Sequence, residues 1–222
     1  MTVQFVVAVD AEMLRAVQDR VGREVEAERD WWQERRRELG VQWLRGSGRR
    51  EALAQLRRER AQRRMAGELL GTQRHLLTFF VRRTLAARGW DKEYEPVPVG
   101  ERGMPGRPVG RSPQSDLAAG IGLTDRLYFE LPDELGEQVR RAAYWESAAA
   151  VRALLAWADR YGKGPAAEGV EGFAAVMRQA MGMGPSAAAL RKREELRRRV
   201  LTTGDILRQA AGAAGDALSR EI

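Results

Sequence analysis

One stretch limits what this chain can fold into more than any other: RLYFELPDELGEQVRRAAYW, from Arg126 to Trp145. Its first half alternates. Leu127, Phe129 and Leu131 fall on one face of an extended segment, and Arg126, Tyr128 and Glu130 on the other. Pro132 suits the first turn of a helix, where its missing N–H costs nothing, and Asp133 and Glu134 suit the positive end of the helix dipole. Leu135, Val139 and then Ala142 or Ala143 repeat at helical spacing. A lone strand leaves a row of backbone N–H and C=O groups unsatisfied, so it needs a partner strand. No neighbouring segment offers one, so its partner has to come from elsewhere.

Composition bounds the rest. A chain of 222 residues holds one large or two small domains and can bury a core. The absence of cysteine argues against a disulfide-stapled secreted protein and against thiolate metal sites. No apolar run approaches the roughly 20 residues of a membrane span. The opening MTVQFVVAVDAEM lacks the basic region of a signal peptide, so a cytoplasmic protein is expected. Basic residues are lopsided, 35 Arg against 3 Lys, as in proteins of GC-rich genomes.

Charge is unevenly spread. From Arg49 to Arg88 there are 11 Arg against 3 Glu, a local balance of +8 in a chain of net +7. RKREELRRR at 191–199 carries +4, whereas 125–160 is −2. A basic stripe is the footprint of a polyanion, with a merely solvated helix face as the alternative.

The reading is a mainly α fold. A strand and helix open the chain, and a basic helical domain completes residues 1–90. In it Leu53, Leu56, Met65, Leu69, Leu76, Phe79 and Phe80 supply an apolar stripe. Residues 91–122 hold five of the 8 prolines and read as a linker. Residues 123–162 form a strand–helix–helix unit whose second helix starts at Ser147 and buries Val151, Leu154, Leu155 and Ala158. The region 163–222 is helical, with pieces starting near Val170, Ser186 and Thr203 and N-caps at Ser186 and Thr202 or Thr203.

The xLxFxLPxEL opening of the quoted stretch, followed by ESAAAVRALLAWADRY, resembles the ribbon–helix–helix family of DNA-binding proteins over 125–161. That resemblance implies a homodimer whose two strands pair antiparallel and enter the DNA major groove. It gives Arg126, Tyr128 and Glu130 the base-reading face and Leu127, Phe129 and Leu131 the dimer core. It sets the backbone N–H groups of Ser147, Ala148 and Ala149 against a phosphate. Further DNA-binding candidates are Arg57, Arg58, Arg63 and Arg64 in the basic zone, and Arg107 in the Gly-Arg-Pro tripeptide of 106–108, similar to a minor-groove AT-hook core.

An internal echo lies at an offset of 122. FVVAVDAEMLRAVQDRV falls on LYFELPDELGEQVRRAA, matching Phe5 with Leu127, Val7 with Phe129, Val9 with Leu131, Met13 with Leu135 and Val17 with Val139. The match needs only a period of two followed by one near 3.6, so it fits a repeat and a coincidence of pattern alike.

Other signals are thin. Trp31, Trp32, Trp43 and Trp90 have the rings to stack on bases, but packing is the expected role. His75 is the only histidine, which rules out His–Cys and multi-His metal sites, and it reads as a packed side chain. No phosphate-binding glycine loop and no paired carboxylates stand out. No catalytic residue, cofactor or metal is expected. The function read here is a sequence-specific DNA-binding homodimer, a repressor, partition or accessory factor of a bacterium, phage or plasmid. The C-terminal helices offer a surface for a second protein. The alternatives are a helical adaptor or scaffold whose strand–helix–helix unit only dimerises, and an antitoxin of the same fold.

Overall fold

The computed structural model describes residues 1–98, 122–161, 177 and 185–216. Among them are two strands and six helices: β1 (Thr2–Val9), α1 (Ala11–Glu38), α2 (Gly46–Ala66), α3 (Gln73–Ala87), β2 (Asp125–Pro132), α4 (Asp133–Tyr161), α5 (Ala187–Arg198) and α6 (Thr203–Asp216). The chain is mainly helical with one small antiparallel sheet. It divides into two units that cut across the boundaries expected from sequence. The first comprises Met1–Asp91, Pro113–Gly136 and Ile206–Ile222, and the second Lys92–Ser112 and Glu137–Asp205. Most of the expected linker, the helical piece near Val170 and Arg107 lie outside the described residues.

In the first unit β2 finds its partner inside its own chain. It pairs antiparallel with β1 in the register Thr2↔Pro132, Phe5↔Phe129 and Val9↔Asp125. This corrects the expectation of a dimer core. Leu127, Phe129 and Leu131 are buried together with Val7 and Val9 under one intrachain ribbon. The echo at an offset of 122 corresponds to real elements, since α1 starts at Ala11 and α4 at Asp133. An even offset maps inward positions onto inward positions, as the two-fold relation of antiparallel strands requires.

Asp10 caps α1 by accepting from Met13 N at 2.7 Å, and Thr72 caps α3 by accepting from His75 N at 3.2 Å. The apolar stripe from Leu53 to Phe80 is therefore shared between two helices and the loop that joins them. Val17, Leu56, Leu76, Leu77, Phe80, Val81 and Leu85 fill the core, and α6 adds Ile206, Leu207, Ala210, Ala211 and Ala214. Its small side chains let α6 lie close to α1, with Gly215 beside Ala16, and Arg208 donates to the Ala8 carbonyl at 3.3 Å. Met65, read as part of the apolar stripe, is 85% exposed.

In the second unit α4 runs unbroken through AAYWES, where a turn between two helices was expected. Those six residues contain no helix breaker, and Ala, Glu and Trp continue a helix readily. Ser147 is consequently not a cap. It is fully buried, accepts from Leu201 N at 2.7 Å and donates to Leu201 O at 2.8 Å. The chain from Lys92 to Glu95 is strapped along α4: Gln138 donates to Lys92 O at 2.7 Å, Arg141 to Tyr94 O at 3.1 Å and Trp145 to Glu95 O at 2.8 Å. Both C-terminal caps stand where the sequence placed them. Ser186 accepts from Ala189 N, and Thr202 and Asp205 bond reciprocally at the start of α6.

Candidate nucleic-acid interface

The ribbon has one buried and one open face. On the open side Gln4 lies opposite Glu130, Val6 opposite Tyr128 and Ala8 opposite Arg126. Tyr128 is 59% and Val6 45% exposed, and Arg126 is exposed with no partner among the described residues. Glu130, the one carboxylate on this face, accepts from Arg74 at 2.9 Å and from the Thr2 hydroxyl at 3.1 Å. Its charge is thus matched locally. Gln73 donates to the Tyr128 carbonyl at 3.0 Å, tying the first turn of α3 to the β2 backbone. What the face presents is a guanidinium, a phenol, an amide and a methyl-rich surface.

The four arginines expected to grip phosphates part company. Arg57 and Arg58 are exposed on α2 without partners among the described residues, on the same side as Arg50 and Met65. Arg63 pairs with Glu68 at 3.5 Å and lies 5.3 Å from the Trp31 ring centroid. Arg64 turns inward. It donates to Glu28 at 2.6 Å, beside Arg60, which also pairs with Glu28 and covers Trp32. The Trp31–Trp32 pair therefore packs under arginines, as a packing role requires.

Glu28, 3% exposed, anchors α1 to α2 and to the following loop, where the Gly71 N–H donates to it at 3.0 Å. Burial alone would raise its pKa. The hydrogen bonds and charges of Arg64 and Arg60 outweigh burial and hold the carboxyl below its usual value. Burial also lowers His75, with Arg64 adding to the effect, and its Nδ1 lies 2.9 Å from the Thr72 hydroxyl. A polar cleft of about 600 Å³ opens nearby between α1 and α2, lined by Trp31, Glu34, Arg35 and Glu59 among others. Arg35 spans Glu38 at 2.6 Å and Glu59 at 2.7 Å, and the Glu59 carboxyl is held down to about 2, mainly by Arg35. With Glu34, Glu38 and Glu59 against Arg35 and Arg63, the cleft lining is net negative and offers no site for a phosphate.

Ser147 and Ala148 lie inside α4, where backbone N–H groups donate to carbonyls four residues earlier and none is left for a phosphate. Arg107 lies outside the described residues. Trp43, for which packing was expected over base stacking, is 83% exposed in the turn between α1 and α2. Among the described residues there is no group of three or more Asp, Glu or His side chains placed to hold a metal, and no helix is long and apolar enough to cross a membrane. The chain matches no family model, no curated protein and no solved structure.

Proposed function

We propose that this protein binds duplex DNA through the open face of the β1–β2 ribbon, with Arg126 and Tyr128 reaching base edges and Arg57 and Arg58 adding backbone affinity. The observation that carries the reading is the ribbon: two antiparallel strands, buried beneath and open above, each followed by a helix. A two-stranded ribbon fits the major groove, and arginine pairs bidentately with guanine acceptors. Arg74 offsets Glu130, so the face does not repel phosphates as its sequence alone would suggest. The likeness to ribbon–helix–helix proteins supports this part of the reading only, because the turn that separates their two helices is replaced by continuous α4. One chain supplies both strands, so the proposal needs no homodimer.

Equilibrium binding to fragmented genomic DNA across a salt series tests it. Affinity should fall steeply with salt, and replacing Arg57 and Arg58 by Ala should flatten the slope of log K against log salt by roughly 1.8. A protein that leaves all DNA free at about 50 mM salt is not a DNA-binding protein.

A further inference from the structure

The turn between α1 and α2 is a rigid mount for an exposed indole. Gly40, at φ 58°, takes the left-handed position that ends α1, and two bonds seal the motif: Gly40 N to Arg37 O at 2.9 Å and Val41 N to Arg36 O at 3.1 Å. Val41 is buried and anchors the turn. Trp43 N then donates to Gly40 O at 2.9 Å, which fixes the backbone that carries the ring. With the Gln42 amide in the orientation its neighbours require, its oxygen accepts from Trp43 Nε1 at 3.1 Å and its nitrogen donates to Arg36 O at 3.3 Å. The indole N–H is spent, and the ring faces are open. Within seven residues of it along the chain, Arg37, Arg45, Arg49 and Arg50 are exposed with no partners among the described residues. The acids of this segment are Glu38, already held by Arg35, and Glu51.

We infer that this turn is a second nucleic-acid contact, in which Trp43 stacks on an unpaired base while the surrounding arginines hold the flanking phosphates. The inference rests on the nucleic-acid reading above but not on the ribbon. Stacking uses only the faces of the ring, and those are what the turn leaves free; every base has a π face to meet them. A lipid surface is the poorer occupant. Only Leu44 joins Trp43 in apolar exposure, and an interfacial tryptophan uses the N–H that Gln42 already takes.

The full chain is titrated against a fluorescein-labelled twelve-nucleotide oligothymidylate, the same length of duplex, and phosphatidylcholine vesicles containing phosphatidylserine. Trp43→Ala should weaken single-strand binding by about 5- to 150-fold, the loss of one stacked base, and Trp43→Phe should restore most of it. Arg45→Ala with Arg49→Ala should lower the single-strand salt slope by about 1.4. Because the ring is exposed, unchanged thermal unfolding of Trp43→Ala checks that the fold is intact. Single-strand binding by Trp43→Ala equal to wild type overturns the inference. Duplex binding without single-strand binding also overturns it and leaves the ribbon reading standing. Binding to neither nucleic acid ends both. Vesicle binding that depends on Trp43, without single-strand binding, overturns it in favour of a membrane contact.

Discussion

Glu28 shows how far one residue can redirect a basic helix. Its carboxylate draws Arg60 and Arg64 inward and takes the Gly71 N–H, so two arginines counted toward a polyanion site serve the core instead. Nothing in the sequence announces this, because Glu28 and Arg64 are 36 positions apart and one acid among many has no signature. Glu28→Gln leaves two guanidinium groups facing each other without a counter-charge and should cost about 3 kcal/mol in urea unfolding at neutral pH. The folded pKa lies below the usual 4.5, so the stabilisation is fully present above that value and is lost as pH falls through the folded pKa. The gap between wild type and Glu28→Gln should therefore narrow in acid. A gap that stays constant from pH 7 down to about 3 would mean that Glu28 carries no ion-pair stabilisation. Trp43 was hidden for the opposite reason: its exposure follows from the Gly40 turn and the buried Val41, and a tryptophan beside hydrophobic residues reads as core.

Among elements, the strand at 125–132 was legible in its alternation, and the face assignment of Arg126 and Tyr128 followed from it. Its partner was not, because nothing local says which of two distant alternating segments will pair. The inward and outward positions of β1 matched those of β2 at the offset of 122, which was the one available signal. The turn within α4 was misread because the family likeness called for it, while the residues themselves favour helix. Since the chain has no cysteine, the pairing can be tested directly with Val6→Cys and Tyr128→Cys, which face each other across the ribbon. Opposed strand positions suit a disulfide. Oxidation should give a cross-linked species that runs at single-chain mass on a non-reducing gel; a chain dimer would mean that the strands pair between copies. Gly136, which lies in the first turn of α4 and belongs to the first unit, tests how that turn meets the ribbon. A Cβ there would collide with Val3 Cγ1, so Gly136→Ala should destabilise by about 1–2 kcal/mol despite the better helix propensity of alanine. A more stable variant would show that Val3 moves aside freely.

On the scale of the whole molecule, the first unit carries two separate candidate contacts, the ribbon and the Trp43 turn. The ribbon sits at the start of α1 and the Trp43 turn at its end, and 28 helical residues set them about 42 Å apart. That exceeds one turn of duplex, about 34 Å, so the two features would meet different segments of a nucleic acid. Phosphate contacts would hold the protein on any sequence, whereas discrimination has to come from base edges. On the proposed reading that task falls to the ribbon, whose open face carries Arg126 and Tyr128; Arg126 is its one cation and has no partner among the described residues. The deciding measurement compares wild type and Arg126→Ala on a duplex selected for tight binding and on random duplex, both titrated at one salt concentration. Loss of about 1–3 kcal/mol on the selected duplex with little change on random DNA is the predicted result, and equal losses on both, or no loss on either, would contradict the ribbon as the reading element.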